Sequence, residues 1–249
     1  DMHPSYNTRA AAEEMGLPVF LVQHHYAHIL SCMAENEWTT EKKVIGVSFD
    51  GTGYGTDGTI WGGEILLADY DSFTRWGCIE PFAQTGGDAS AKEGWRIAVS
   101  LLGKIYGKEN ALLIIETLGL CEPKLAKLQF TMEERGINTV QSTSAGRLFD
   151  AVSAILDIRK SSTFEGEAST SLQFAAEKWL DAQKKKIAGS EDFAESGIIT
   201  DYEELKSISD VAQKSVVEKN NSINRNIKAD LYYLPTLSLV KELAERKLA

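Results

Sequence analysis

The chain has 249 residues, 43% of them hydrophobic and 25% charged, which is enough apolar material for a substantial core and too much for a disordered segment. Its formal net charge of -10 excludes a general binder of nucleic acid or membrane surfaces, because the summed field repels polyanions, while leaving room for a local phosphate site. No apolar run approaches the roughly 18 residues of a membrane span, and Cys32, Cys78 and Cys121 form no C-x-x-C pair, so they read as buried, reduced thiols of a cytoplasmic protein.

The opening Asp1-Met2-His3-Pro4 reads as a cut through a longer polypeptide, with no signal sequence. Pro18 to Val22 is a short apolar run expected to form a strand. It feeds a predicted helix from His24 to Glu37, in which Tyr26, Ile29, Leu30 and Met33 fall at helical spacing. His24 and His28 lie four apart and share a face, so both imidazoles can reach one ion. His25 lies about 100° further round the helix and is expected to look elsewhere. Val44 to Phe49 is a second strand candidate, and Asp50 follows it. The segment from Asp50 to Gly58 holds four glycines in nine residues, which predicts a hairpin turn whose backbone can approach a ligand closely. Two imidazoles and a carboxylate suit Zn or non-haem Fe better than Ca or Mg, which prefer all-oxygen shells.

Thr59 to Ala68 and Phe73 to Ile79 continue the strand pattern. After Gly86-Gly87-Asp88 the period becomes helical, with Trp95, Val99, Leu102 and Tyr106 on one face, then Ala111 to Leu118, then Leu125, Leu128 and Met132. Ser144-Ala145-Gly146-Arg147 opens another helix, and Glu165 to Trp179 forms one more. Gln183 to Lys186 followed by Gly189-Ser190-Glu191-Asp192 reads as a solvated helix end and a surface loop. Pro235 to Leu248 is an amphipathic helix. The expected organisation is a core over residues 1–190 and, over 191–249, a loop plus a C-terminal helical segment of the same domain.

Five strings in order, VQHHYAH, AEN, IGVSFDGTGYGTDGTIWGGEILLADY, STSAGRLFDAVSAIL and FEGEAS, resemble the carboxy-terminal carbamoyltransferase domain of the hydrogenase maturation factor HypF. That domain is related to the Kae1/TsaD proteins. The resemblance implies an α/β actin-like ATPase fold of the Kae1/TsaD type, incomplete at both ends, and it covers about residues 1 to 180. The family usually reads HHHAH; Tyr26 replaces the middle histidine here, and the two ligand positions are kept.

By this resemblance His24, His28 and Asp50 bind one Fe or Zn ion. The turn Asp50-Gly51-Thr52-Gly53 holds the acyl-adenylate, and Gly146 and Asp150 contact the nucleotide. Glu64 is a weaker site candidate. The implied activity passes the carbamoyl group of carbamoyl-adenylate, made from carbamoyl phosphate and ATP, to the C-terminal cysteine of HypE, for cyanide ligand synthesis in [NiFe]-hydrogenase. The nucleophile belongs to that partner, so no cysteine of this chain is expected to be catalytic, and neither nucleic acid nor membrane is an expected partner. The alternatives are an O-carbamoyltransferase of the nodulation or antibiotic-tailoring type and a non-catalytic metal-binding remnant. The chain by itself is expected to bind metal without turning over.

Overall fold

The structure, a computed structural model, describes residues 1–40, 42–188 and 231–248. Two units are distinguished, one comprising Asp1–Ala175 with Leu231–Ala249 and the other Ala176–Asp230. The first contains every strand among the described residues and the candidate site. The described part of the second is the later portion of a single helix. The loop expected at 189–192 lies outside the described residues.

After a short exposed helix, α1 (Asn7–Glu14), comes the histidine helix α2 (His24–Glu35). It starts at Gln23, whose side chain accepts the Tyr26 backbone N–H at 2.9 Å and so satisfies one of the unpaired donors of a first turn. Its Tyr26, Ile29 and Met33 are buried. The expected strand at Pro18–Val22 does not form: these residues are irregular, and Phe20 is 87% exposed. An apolar run becomes a strand only where a neighbour takes its backbone hydrogen bonds, and no described strand pairs with this one.

Strands β1 (Val44–Tyr54), β2 (Ile60–Ala68) and β3 (Phe73–Ile79) form an antiparallel meander. β2 is central. One of its edges pairs along its length with β1, and the other meets β3 and, at Ile60, β5. β4 (Phe82–Thr85) pairs antiparallel with β5 (Thr139–Ser142), and β6 (Tyr232–Leu234) runs parallel to β3. The hairpin predicted over Asp50–Gly58 is displaced toward its end. β1 continues to Tyr54, and the tight turn is Gly55–Thr59, closed by the Gly55 N–H to the Thr59 carbonyl at 2.9 Å. Asp50 to Thr52 instead form a bulge. Between Phe49↔Gly63 and Gly53↔Trp61 the register advances four residues on β1 and two on β2.

The helices α3 (Ala89–Lys92), α4 (Gly94–Tyr106), α5 (Lys108–Thr117), α6 (Pro123–Arg135), α7 (Ala145–Ile155), α8 (Glu167–Ala188) and α9 (Thr236–Leu248) complete the order. The larger core cluster joins α4, α5, α6, α7 and α9 through Ile97, Leu102, Ile115, Phe130, Ile155 and Val240. The smaller one clamps α2 to the sheet through Tyr26, Ile29, Met33, Trp61 and Leu66. Gly46 permits that clamp, since a Cβ there would stand 2.3 Å from Ile29 Cδ1. Among the described residues, no helix is long and apolar enough to cross a membrane. Cys78 is buried as expected, but Cys121 is only partly covered and Cys32 is exposed on α2.

Candidate functional site

The first turns of α2 face the bulge in β1, and the contact brings three ligand-type atoms together. His24 Nε2 lies 2.9 Å from Asp50 Oδ2 and 3.2 Å from His28 Nε2, and His28 Nε2 lies 3.4 Å from the same carboxylate oxygen. Donor atoms bonded to one ion at roughly 2.0–2.2 Å stand about 3 Å apart, so these separations fit a metal of the zinc or iron class. Among the described residues, His24, His28 and Asp50 are the one group of metal-ligating type that the structure gathers.

The bulge explains how an aspartate in a strand reaches a helix. Removing Asp50–Thr52 from the ladder re-aims the carboxyl toward α2, and the Gly51 N–H then holds Asp50 Oδ1 at 2.6 Å. Burial pushes the Asp50 carboxyl up, but that N–H together with His24 outweighs it and leaves the group below its ordinary value. Gly62 makes room from the facing strand, since a Cβ there would lie 2.6 Å from the Asp50 carbonyl oxygen.

Two neighbours escaped the sequence reading. Asp1 Oδ2 lies 2.8 Å from His24 Nδ1, so the imidazole is bracketed by carboxylates on both nitrogens. A donor hydrogen on Nδ1 toward Asp1 leaves the Nε2 lone pair for the cluster, the usual outer partner of a metal-binding histidine. No spacing rule links positions 1 and 24. His25 was expected to look elsewhere, yet it is fully buried with Nε2 4.0 Å from Asp50 Oδ2, and burial pushes its imidazole down to about 4.

The glycines divide. A Cβ at Gly51 meets open space, as a ligand-facing position requires, whereas one at Gly53 would stand 2.4 Å from His25 Cε1, so Gly53 is small to seat that ring. Gly146 packs on the bulge, its Cβ position 3.0 Å from the Gly51 Cα. Ser144, at the start of α7, accepts the Arg147 N–H at 3.1 Å and donates its hydroxyl to the Gly51 carbonyl at 2.5 Å, tying α7 to the bulge. Thr52 is exposed at the lip of a cleft of about 440 Å³ that also takes in Gln84, Asp88 and Asn138. Asp150, by contrast, is 4% exposed and ion-paired with Arg147 Nε at 2.8 Å. Burial pushes its carboxyl up by more than Arg147 lowers it.

Glu64 is engaged on both oxygens by the protein itself. It has no exposure, and its Oε2 accepts from Arg75 Nε at 2.7 Å while its Oε1 accepts from Thr143 Oγ1 and the Gly62 and Gly63 N–H groups. Arg75 further reaches Asp57 at 3.1 Å and Thr143 at 3.2 Å, and stacks 4.1 Å from the Trp61 ring centroid. This network ties β2, β3 and the hairpin turn to the segment preceding α7.

The sheet, with Asp50 on its bulged strand facing His24 and His28 on α2, belongs to a chain that its family matches place in the Kae1-like class. A family model described as carbamoyltransferase, Kae1-like domain, second subdomain, matches residues 46–245, and one described as HypF Kae1-like domain matches residues 1–35. The chain belongs to the HypF carbamoyltransferase family. It is 38% identical over 183 residues to the probable carbamoyltransferase HypF of Methanocaldococcus jannaschii, a match covering 72% of this chain and 24% of that protein. It is also 38% identical over 189 residues to the carbamoyltransferase HypF of Rhodobacter capsulatus, covering 71% of this chain and 24% of the relative. A crystal structure of full-length HypF in the phosphate- and nucleotide-bound form is 37% identical, with a TM-score of 0.62 over 68% of this chain and 22% of that one. The chain thus spans about a quarter of the length of the relatives it matches.

Proposed function

We propose that this chain is the metal-binding portion of a carbamoyltransferase that passes the carbamoyl group of carbamoyl-adenylate, formed from carbamoyl phosphate and ATP, to the C-terminal cysteine of HypE during [NiFe]-hydrogenase maturation. The observation that carries this reading is the convergence of His24 Nε2, His28 Nε2 and Asp50 Oδ2 within 3.4 Å of one another, in a chain of the HypF family. Three protein ligands leave coordination positions for substrate oxygens.

In this reading the two imidazoles and Oδ2 of Asp50 hold one Fe or Zn ion, Asp1 orients His24, and the Gly51 N–H fixes the other Asp50 oxygen. The ion supplies Lewis-acid polarisation and a template for phosphate or carbamoyl oxygens. Gly51 and Thr52 lie at the open side, where backbone can approach an adenylate. Gly146 and Asp150 serve the nucleotide indirectly, Gly146 by seating the bulge. Asp150 does so through Arg147. The acceptor thiol comes from HypE. The three free thiols of this chain fit a reducing cytoplasm.

Elemental analysis of the chain purified without chelator, beside His24→Ala, His28→Ala and Asp50→Ala, tests the site. Near-stoichiometric Fe or Zn is expected in the parent chain and at least a tenfold loss in each variant; equal metal content in all four removes the assignment. Carbamoylation of HypE is then followed by mass spectrometry, with the 249-residue chain and with a version extended at both ends. Transfer is expected from the extended protein alone, and its loss with Asp50→Ala links metal to chemistry. An extended protein that holds metal without transferring is a metal-binding remnant.

A further inference from the structure

His25 is a fully enclosed polar side chain beside the site. Its ring has no exposure, and within the described residues Nε2 has no hydrogen-bond partner. Its other nitrogen is engaged: Nδ1 lies 3.1 Å from Gln23 Nε2. The orientation of the Gln23 amide is fixed independently of the histidine. Oε1 accepts the Tyr26 N–H at 2.9 Å, and Nε2 donates to the Tyr54 carbonyl at 3.2 Å. Turning the amide over would set donor against donor at Tyr26 and acceptor against acceptor at Tyr54. An amide nitrogen can only donate, so His25 Nδ1 accepts and the ring hydrogen sits on Nε2. That N–H is 4.0 Å from Asp50 Oδ2, the same oxygen that faces His24 and His28. Gly53 holds the ring from beneath, with no room for even a methyl group.

We propose that Gln23 and His25 form a positioning relay for the metal site, in which the His25 Nε2–H donates to the Asp50 carboxylate and fixes the oxygen presented to the ion. The inference rests on the metal reading of His24, His28 and Asp50. Asp50 Oδ1 is already held by Gly51, so a donor to Oδ2 leaves the carboxyl group no free rotation. Closing the remaining gap takes about 1 Å, and polar contacts around reacting centres often tighten by such amounts when a site fills. His25 is shielded from solvent, so it acts through Asp50.

Co²⁺ titration of the 249-residue chain, read by the intensity and position of its visible d–d bands, tests the relay without any assay of activity. The panel is the parent chain, His24→Ala, His25→Leu, His25→Gln and Gln23→Glu, with far-ultraviolet circular dichroism confirming that each metal-free chain folds. Loss of an outer-shell donor is expected to weaken Co²⁺ binding about 10–100-fold and to move the bands in His25→Leu. His25→Gln, which restores an N–H donor, is expected to recover part of the affinity. Gln23→Glu keeps the acceptor that caps α2 but sets a second acceptor against Nδ1, which draws the single hydrogen of the neutral ring from Nε2 to Nδ1 and takes the donor away from Asp50, so it is expected to weaken binding as His25→Leu does. If His25→Leu does not fold, Gln23→Glu decides alone. Parent-like affinity and bands in a folded His25→Leu or Gln23→Glu variant overturn the relay, provided that His24→Ala loses the metal. A parent chain that binds no Co²⁺ overturns the metal reading and the relay together.

Discussion

At the scale of single residues, the buried pair of Glu64 and Arg75 differs in kind from the pairs on the surface. Removing the Glu64 side chain leaves the Arg75 guanidinium, which is 15% exposed, with the half-exposed Asp57 as its remaining carboxylate, and takes the side-chain acceptor from the Gly62 and Gly63 N–H groups and from the Thr143 hydroxyl. Glu64→Ala is therefore expected to lower unfolding free energy by about 3–5 kcal/mol, measured by urea denaturation. Lys108→Ala, which breaks a solvent-exposed pair with Glu134, is expected to cost less than about 1 kcal/mol. Equal effects would mean that the Glu64 network carries no special weight. The sequence reading reached His24, His28 and Asp50 because helical spacing and the end of an apolar run are local signals. Asp1 and His25 escaped it for a common reason. Their contacts depend on how the chain folds back on itself and on the space Gly53 leaves, and neither distance in sequence nor helical phase encodes that.

At the scale of elements, the junction of α7 with the bulge turns on one hydroxyl. Ser144 caps the helix and donates to Gly51, so Ser144→Ala removes two contacts at once. The expected cost is about 1 kcal/mol, near 2–4 °C in melting temperature for a chain of this size, followed by differential scanning fluorimetry; an unchanged melting temperature would show that α7 is held by its apolar face alone. The longer helices and the strands β2 and β3 were legible from periodicity, since each carries enough residues for a pattern. β4, β5 and β6, of four, four and three residues, were not anticipated, because so short a segment becomes a strand through its neighbour rather than its own sequence. Pro18–Val22 shows the converse, having the composition without the neighbour. In β1 the glycines were read as a turn, but pairing resumes at Gly53, which makes Asp50–Thr52 a bulge.

At the scale of the whole molecule, the cysteines give a simple probe of how the chain is built. Cys32 is exposed, while burial pushes the Cys78 thiol up to about 11, so at pH 8 its reactive thiolate is scarce as well as shielded. Iodoacetamide is expected to label Cys32 within minutes and Cys78 only after denaturation, as mapped by peptide mass spectrometry; early labelling of Cys78 would contradict the packing of β3. The sheet has a further consequence for handling the protein. β1 pairs on one side only among the described strands, and Ile45, Val47 and Phe49 on it are 55–61% exposed. The stretch of this edge before the bulge, exposed and apolar, is a template for strands of other molecules. Net charge of -10 keeps copies apart at low ionic strength, and that repulsion fades as salt shortens the screening length. Colloidal stability of the isolated chain is thus set by ionic strength, and dilute buffer is the condition in which it stays dispersed.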